Sequence, residues 1–377
     1  MSIAAGHPGL LASKAVLGLS PYVPGKPISE LKREYGLRNV IKLASNENPW
    51  GPSPAALQAM HQALAEVWMY PDGSAHELKA ALADFLRVSP TQITLGNASN
   101  ELLLLLAEAF LTAAHSGVCS QYGFAIYALV IRATGARCIE APALGPTHTM
   151  HYGHDLAAMA RAIDADTRLV FIANPNNPTG TWIEAAALRA FIAAAPPHAL
   201  IVLDEAYYEY SRLSGCDGTL EWLQEFPNLV LVRTMSKAYG LAGIRIGYAI
   251  SHPEVADALN RIRPAFNVSN VAQAGAIAAL ADPHHLEQVV ARTIAERGRM
   301  EAALRAANIA FAPSATNFLL VEVGARMPEI YEQLLRGGII VRPMAGYGLP
   351  RHLRISVGLP EQNTQLLALL TRLLGAT

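Results

Sequence analysis

The sequence predicts an α/β fold, in which a large domain carries a mostly parallel sheet covered by helices on both faces and a smaller α+β domain follows. Three observations support this prediction. Hydrophobic residues make up 52% of the 377 residues, which is enough for a large interior. Short β-branched runs alternate with amphipathic segments that are long enough for crossover helices. After about residue 265 the pattern changes to helix-prone segments followed by strand-like runs.

Continuous apolar runs that end in small or polar residues are typical of parallel strands buried on both faces of a sheet. Five runs in the first part of the chain have this pattern: "QITLG" (92–96), "RLVFIANP" (168–175), "ALIVLDEAY" (199–207), "NLVLVRTMS" (228–236) and "IRIGYAIS" (244–251). Three strand-like runs follow near the C-terminal end: "NFLLVEV", "GIIVRPM" and "HLRISVG".

These patterns divide the chain into three predicted parts. Residues 1–30 contain four prolines and are expected to form an extended arm that packs on another surface. Residues 31–265 are expected to form the large domain, whose first residues can pack with the small domain. Residues 266–377 are expected to form the small domain.

Charge and hydropathy exclude several classes of protein. The formal net charge is −1 and no run of Lys or Arg forms a basic stripe, so we expect no nucleic-acid partner. The longest leucine-rich run, "ELLLLLAEAFL", is bounded by carboxylates and is too short to span a bilayer. The first residues do not resemble a signal peptide. We therefore expect a cytoplasmic protein without membrane partners.

Metal and disulfide sites are also disfavoured. Cys119, Cys138 and Cys216 are scattered and form no CxxC pair, as a structural zinc site or a disulfide framework would require. Three histidines are spaced at intervals of three residues in "THTMHYGHDL", at His148, His151 and His154. This spacing is not a standard zinc pattern, so we expect a solvated connecting segment and no metal.

Polar residues follow several of the predicted strands, at the ends where open α/β sheets bind ligands. Lys237 follows an apolar strand, and such a lysine either reaches solvent or has a lowered pKa that suits an amine nucleophile. Asp204 follows another strand and is either a helix cap or the partner of a cationic ring nitrogen. The turn "NPNNPTG" offers Asn177 as a donor, and "GNASNE" can present backbone N–H groups to a phosphate.

Three motifs occur together in one order: "NPNNPTG", "DEAYYEY" and "TMSKAYGLAGIRIGY". This combination resembles the fold-type I aminotransferases that depend on pyridoxal 5'-phosphate. Three further segments are most similar to the class II histidinol-phosphate aminotransferases: "LSPYVPGKP", "IKLASNENPWGPSP" and "YPDGSAHELKAALA". The resemblance extends from about residue 17 to residue 370 and implies the same cofactor, bound by the large domain.

The resemblance also implies roles for individual residues around the cofactor ring. Lys237 would form the Schiff base with the cofactor aldehyde and move the proton during catalysis. Asp204 would pair with the pyridine nitrogen. Tyr207 and Asn177 would bond the ring hydroxyl oxygen, and Tyr122 would stack on the ring.

Further residues are implied at the cofactor phosphate and at the substrate. The resemblance places at the phosphate Ala98, Ser99, Asn100, Ser236, Arg245 and Tyr70 from a second subunit, with Arg245 as the bidentate partner. Arg354 would bind the carboxylate of glutamate or 2-oxoglutarate. Arg342 and Tyr22 would bind the phosphate of the second substrate, beside Asn177.

The role implied for Tyr70 has a consequence for assembly. If Tyr70 crosses between subunits, the active form is a homodimer with shared sites, and the arm packs on the partner. The chain departs from the family pattern at Asn100, where an aspartate is usual, and at Ser120–Gln121, where a proline is usual. Neither departure removes a catalytic group.

The implied reaction is a ping-pong amino-group transfer in histidine biosynthesis. It interconverts histidinol phosphate plus 2-oxoglutarate and imidazole-acetol phosphate plus glutamate. Alternatives are an aromatic aminotransferase acting on phenylalanine or tyrosine, a decarboxylase of an amino acid phosphate, and a non-catalytic binding protein. A dinucleotide-dependent dehydrogenase is disfavoured because the glycines of "YGLAGIRIG" do not follow the dinucleotide-binding pattern.

Overall fold

The computed structural model describes residues 12–21, 25–211, 215 and 218–375. Its strands are β1 Ile41–Lys42, β2 Ile93–Gly96, β3 Ser116–Ser120, β4 Arg137–Ala141, β5 Thr167–Ala173, β6 Leu200–Asp204, β7 Leu229–Thr234, β8 Gly247–Ser251, β9 Phe318–Glu322, β10 Ile339–Ile340, β11 Arg342–Pro343 and β12 His352–Ser356. Its α-helices are α1 Lys14–Leu17, α2 Ile28–Tyr35, α3 Pro54–Ala63, α4 His76–Leu86, α5 Ala98–Phe110, α6 Ala125–Ala133, α7 Leu156–Ala162, α8 Ala185–Ala194, α9 Tyr208–Ser211, α10 Pro253–Ile262, α11 Asn270–Leu280, α12 Pro283–Ala306, α13 Met327–Arg336 and α14 Pro360–Leu374.

The central sheet has seven strands in the order β2-β8-β7-β6-β5-β3-β4. Alternate residues of its middle strands face opposite sides, as the two-residue period of a strand requires. In β6, for example, Ile201 and Leu203 belong to one buried cluster and Val202 belongs to the other. The prediction of a sheet covered on both faces is confirmed.

One predicted strand direction is wrong. β8 runs antiparallel to both of its neighbours, β7 and β2. A parallel connection needs a crossover, usually a helix, but only a short 3₁₀ segment, Ala242–Ile244, lies between β7 and β8. Burial on both faces made the run apolar without specifying its direction. The sheet is therefore mostly parallel, and β8 is its one antiparallel strand.

β3 and β4 were not predicted as strands. Their sequences, "SGVCS" and "RCIEA", contain few β-branched residues, so they give a weak local signal. Cys119 and Cys138 lie on these neighbouring strands as free thiols, with 4.0 Å between their sulfur atoms. Cys216 lies outside the described residues.

The C-terminal part carries a three-stranded antiparallel sheet in the order β11-β12-β9. The segment after β1 joins this layer, because Leu43 donates its N–H to Ile340 O and accepts a bond from Ser356 N. Leu43 also belongs to the buried C-terminal cluster. Ala272 of α11 belongs instead to a cluster of the central sheet. The predicted boundary between residues 265 and 266 stays a prediction.

The histidine segment differs from the expectation at one position. His154 is buried, and its Nε2 lies 2.9 Å from Ala173 O. Burial lowers the pKa of His154 to about 4, so this residue is a neutral core histidine. Within the described ranges, no three His, Cys, Asp or Glu side chains are grouped as a metal site would require. No helix there has the length and apolarity to cross a bilayer.

Candidate active site

A cavity of about 210 Å³ lies where the carboxyl ends of β5, β6 and β7 face β11 and β12. Polar residues after separate strands converge here because parallel strands end at one edge of the sheet. Most residues predicted for the site line this cavity: Ala98, Ser99, Asn100, Asn177, Asp204, Tyr207, Ser236, Lys237, Arg245, Arg342 and Arg354. The structure therefore brings together groups from both the sheet and the C-terminal layer.

Lys237 lies just beyond β7, and its Nζ donates a hydrogen bond to Ser45 O at 3.1 Å. Burial lowers the pKa of Lys237 to about 8, and the positive charges of Arg354 and Arg245 act in the same direction. A desolvated ammonium loses its proton more readily than one in water. About a tenth of Lys237 is therefore a neutral amine at pH 7, far more than for a lysine in water, and a nucleophile or base must be neutral.

Asp204 is the last residue of β6, and only 5% of its surface is exposed. Its Oδ2 accepts a hydrogen bond from Tyr127 Oη at 2.7 Å, and its Oδ1 accepts one from Ala206 N at 3.1 Å. Burial raises the pKa of Asp204 to about 6 even though both hydrogen bonds favour the carboxylate. Such a group is suited to a cationic ligand, because a positive partner would stabilise the ionised form that burial disfavours.

The start of α5 forms an anion cradle on another side of the cavity. Ala98 opens this 13-residue helix at φ +61°, and Ala98, Ser99 and Asn100 of its first turn, where backbone N–H groups have no partner within the helix, line the cavity. Gly247 of β8 permits this approach, since a Cβ at that position would lie 2.7 Å from Ser99 N. Ser236 and Arg245 line the same cavity. Helix N–H groups, a hydroxyl and a guanidinium are the donors that a phosphate group needs.

Arg354 of β12 connects the C-terminal layer to the loop after β5. Its Nη1 donates to Asn177 Oδ1 at 2.5 Å, and its Nη2 donates to Ala44 O at 2.7 Å. Arg342 lies opposite Arg354 in the register of β11 and β12 and also lines the cavity. Two guanidinium groups on one wall favour ligands that carry carboxylate or phosphate groups.

Residues 38–370 match the family described as aminotransferase class I and II. The chain belongs to this family. It is 50% identical to histidinol-phosphate aminotransferase 1 of Nitrosococcus oceani, over 97% of both chains. It is also 50% identical to histidinol-phosphate aminotransferase 2 of Methylococcus capsulatus, over 97% of this chain and 98% of that one.

A solved structure supports the same assignment. The crystal structure of histidinol-phosphate aminotransferase from Sinorhizobium meliloti, in complex with pyridoxal 5'-phosphate, matches with a TM-score of 0.86 and 32% identity. The match covers 97% of this chain and 98% of that chain. The family and fold class predicted from the motifs are therefore confirmed.

Two predicted site residues of this aminotransferase that the structure describes, Tyr122 and Tyr70, do not line the cavity. Tyr122 packs instead against Tyr152, with 5.6 Å between the ring centroids, and Phe124 occupies the cavity wall. Tyr70 is 83% exposed and stacks on Phe266 outside the cavity. Tyr22 lies outside the described residues. The stacking role of Tyr122 stays a prediction.

Sequence reasoning missed two residues of this aminotransferase site. Tyr127, which bonds Asp204, lies in the helical segment "AIYALVIRA", where an aromatic residue has the pattern of ordinary core. Asn46 lines the cavity and donates its Nδ2 hydrogen to Tyr207 Oη at 2.9 Å. The available signal for Asn46 was the asparagine-rich run "SNENP" after β1, to which no function was assigned.

Proposed function

We propose that this aminotransferase is a pyridoxal 5'-phosphate-dependent histidinol-phosphate aminotransferase. It would transfer the amino group between glutamate and imidazole-acetol phosphate in a ping-pong reaction that operates in either direction. The observation that carries the proposal is the placement of a partly neutral Lys237, a buried Asp204 and an anion cradle around one cavity. The similarity to histidinol-phosphate aminotransferases over nearly the whole chain supports the choice of substrate.

The residues present fit this cofactor. The cradle of Ala98, Ser99, Ser236 and Arg245 would hold its phosphate, because these groups supply helix N–H, hydroxyl and guanidinium donors. Asp204 would hold its ring nitrogen in the protonated form. When bound, the cofactor supplies an aldehyde that condenses with amines and a ring that accepts an electron pair.

Lys237 would carry out the proton transfer at the substrate. The pKa of about 8 leaves Nζ able both to accept and to return a proton near neutral pH. Its Nζ lies 5.8 Å from the ring centroid of Tyr207, so both side chains work in the same cavity. We assign to Lys237 the removal of the proton from the substrate Cα.

The two arginines would select the substrates. Arg354 is held by Asn177 and by the Ala44 carbonyl, so its guanidinium is fixed beside the site rather than free to reorient. We assign to it the carboxylate of glutamate or 2-oxoglutarate. Arg342 would bind the phosphate of the second substrate, together with Tyr22, which lies outside the described residues.

The proposal is tested by steady-state kinetics of the cofactor-loaded enzyme with histidinol phosphate and with phenylalanine, each against 2-oxoglutarate. We expect kcat/KM for histidinol phosphate to be higher by about 10- to 10²-fold, because phenylalanine lacks the phosphate assigned to Arg342 and a charge-assisted contact contributes roughly 1.5–3 kcal/mol. A higher value for phenylalanine would instead identify an aromatic aminotransferase. Release of carbon dioxide without consumption of 2-oxoglutarate would identify a decarboxylase.

An exposed apolar patch supports a homodimer with shared sites. The patch contains Trp68, which is 80% exposed, and Tyr70, which is 83% exposed, with Val67, Met69 and Phe266 beside them. Contiguous aromatic surface of this kind usually marks an interface. We propose that a second copy covers this patch and that Tyr70 binds the cofactor phosphate in the partner's cavity.

A mixed dimer tests this sharing of sites. Tyr70→Phe alone is expected to weaken cofactor binding by about 10- to 100-fold, since it removes one hydrogen bond to a charged group. At a cofactor concentration that leaves the Tyr70→Phe homodimer largely unloaded, a heterodimer of one Lys237→Ala chain and one Tyr70→Phe chain should recover about half of the wild-type activity, because the intact Lys237 then meets an intact Tyr70. No recovery in purified heterodimers, made with two different tags, would show that Tyr70 does not serve the partner's site.

A further inference from the structure

Asn46 is a buried residue at the cavity wall, with 1% of its surface exposed and a backbone φ of +56°. The C-terminal layer holds it through three hydrogen bonds. Asn46 N donates to Ser356 Oγ at 2.9 Å, Ser356 Oγ donates to Asn46 Oδ1 at 3.1 Å, and Asn317 Nδ2 donates to Asn46 O at 3.0 Å. Its Nδ2 then donates to Tyr207 Oη at 2.9 Å.

This network determines where the hydroxyl hydrogen of Tyr207 points. Ser356 Oγ accepts from the Asn46 backbone, so its own hydrogen is available for Asn46 Oδ1. With Oδ1 engaged, the amide presents its NH₂ group to Tyr207. A phenol oxygen that accepts this bond must direct its own hydrogen elsewhere, and Tyr207 makes no other hydrogen bond to the described residues. Tyr207 lines the cavity, so that hydrogen is available for donation into the cavity.

We propose that Asn46 is a positioning residue that sets the Tyr207 hydroxyl as a hydrogen-bond donor to a ligand oxygen in the cavity. This inference rests on the proposed function, under which that oxygen is the ring hydroxyl oxygen of the cofactor. The anchoring bonds to Ser356 and Asn317 make the orientation of Tyr207 depend on the C-terminal layer. Asn46 thereby links the position of that layer to the electronic state of the cofactor.

The consequence for the bound cofactor has a definite sign. Burial raises the pKa of Tyr207 to about 12, so the phenol stays protonated and can donate throughout the working pH range. A hydrogen bond donated to the ring oxygen stabilises negative charge there and lowers the proton affinity of that oxygen. Loss of the donor therefore raises the pH at which the visible spectrum of the bound cofactor changes. Charged groups near Tyr207 are Lys237, Arg354 and Asp204, and the variants below leave all three in place.

Two substitutions at Asn46 separate this role from a packing role. Asn46→Asp keeps the shape but replaces the donor with an acceptor that would draw the Tyr207 hydrogen away from the cavity. Asn46→Gly removes the amide without introducing charge, and glycine accepts the positive φ. The matched controls are Asn308→Asp and Asn308→Gly, at a positive-φ asparagine just after α12 (φ +54°). Tyr207→Phe gives the full effect of losing the donor.

The experiment is a pH titration of the visible spectrum of each cofactor-loaded variant, with the cofactor dissociation constant measured alongside. We expect Asn46→Asp to raise the spectral transition by about one pH unit, towards the value for Tyr207→Phe, and to weaken cofactor binding about tenfold. Asn46→Gly should shift it in the same direction by less, and the Asn308 variants should not shift it. Ser356→Ala, which frees Asn46 Oδ1, should give a small shift of the same sign.

An unchanged transition in both Asn46 variants, with only a lower melting temperature, would show that Asn46 is merely structural. A shift to lower pH in Asn46→Gly would show that Tyr207 donates to Asn46 instead. Either result overturns the inference while wild-type transamination still supports the proposed function. A wild-type enzyme that bound no cofactor would overturn both.

Discussion

Replacing Lys237 by alanine is expected to lower the rate of transamination by roughly 10⁵-fold or more, comparable with the loss of a catalytic nucleophile. The reason is that Lys237 is the amine placed beside Asp204 and the anion cradle, and its pKa of about 8 makes it partly neutral. The measurement is single-turnover and steady-state conversion of histidinol phosphate, with the visible spectrum of the enzyme as a second readout. The spectrum of the loaded wild type should be lost or altered in the variant.

The fold should survive this substitution. The lowered pKa means that the folded state holds the Lys237 proton less strongly than the unfolded state does, so Lys237 destabilises the fold increasingly as the pH falls from 10.5 to about 8 and fully below that. Removing it should leave the melting temperature of the cofactor-free protein at pH 7 unchanged or higher. Lys79→Ala is the matched control, because Lys79 is another partly buried lysine whose pKa is lowered but it does not line the cavity. Near-normal turnover in Lys237→Ala would refute the role assigned to this residue.

Replacing Asp204 by asparagine is expected to lower kcat by about 10²- to 10⁴-fold, the range that follows from about 3–5 kcal/mol for removing one partner of a buried ion pair. Asparagine keeps the volume and can still bond Ala206 N, but it cannot balance a protonated ring nitrogen. The rate should be measured at saturating cofactor, so that weaker binding does not mask the catalytic effect. A kcat within threefold of wild type would contradict the pairing of Asp204 with the cofactor ring.

The same substitution should stabilise the cofactor-free protein at neutral pH. Burial raises the folded-state pKa of Asp204 from 3.8 to about 6, so its contribution to stability is greatest at low pH and is lost as the pH rises through this window. The difference corresponds to about 3 kcal/mol above pH 6. Thermal unfolding of cofactor-free wild type and Asp204→Asn between pH 4 and pH 8 should show the advantage of the variant growing with pH. A constant difference in melting temperature across this range would argue against a carboxylate whose ionised form is destabilised by burial.

Much of the fold follows from local pattern. The apolar runs that became β5, β6 and β7 were recognised because strands buried on both faces need continuous hydrophobic residues. The motifs at their ends also identified Lys237 and Asp204 as candidate site residues. β3 and β4 were missed because a short strand with a single β-branched residue gives only a weak pattern of this kind.

By itself the sequence determined the fold class, the family and the residues expected around the cofactor, because burial and motif spacing are local properties of the chain. Only the tertiary structure decided that β8 runs antiparallel, that His154 is buried and that Phe124 rather than Tyr122 lines the cavity. It also placed Asn46 between Ser356 and Tyr207, although Asn46 and Ser356 are 310 positions apart. Contacts of this kind depend on how distant segments pack, and no local pattern encodes which side chains then meet.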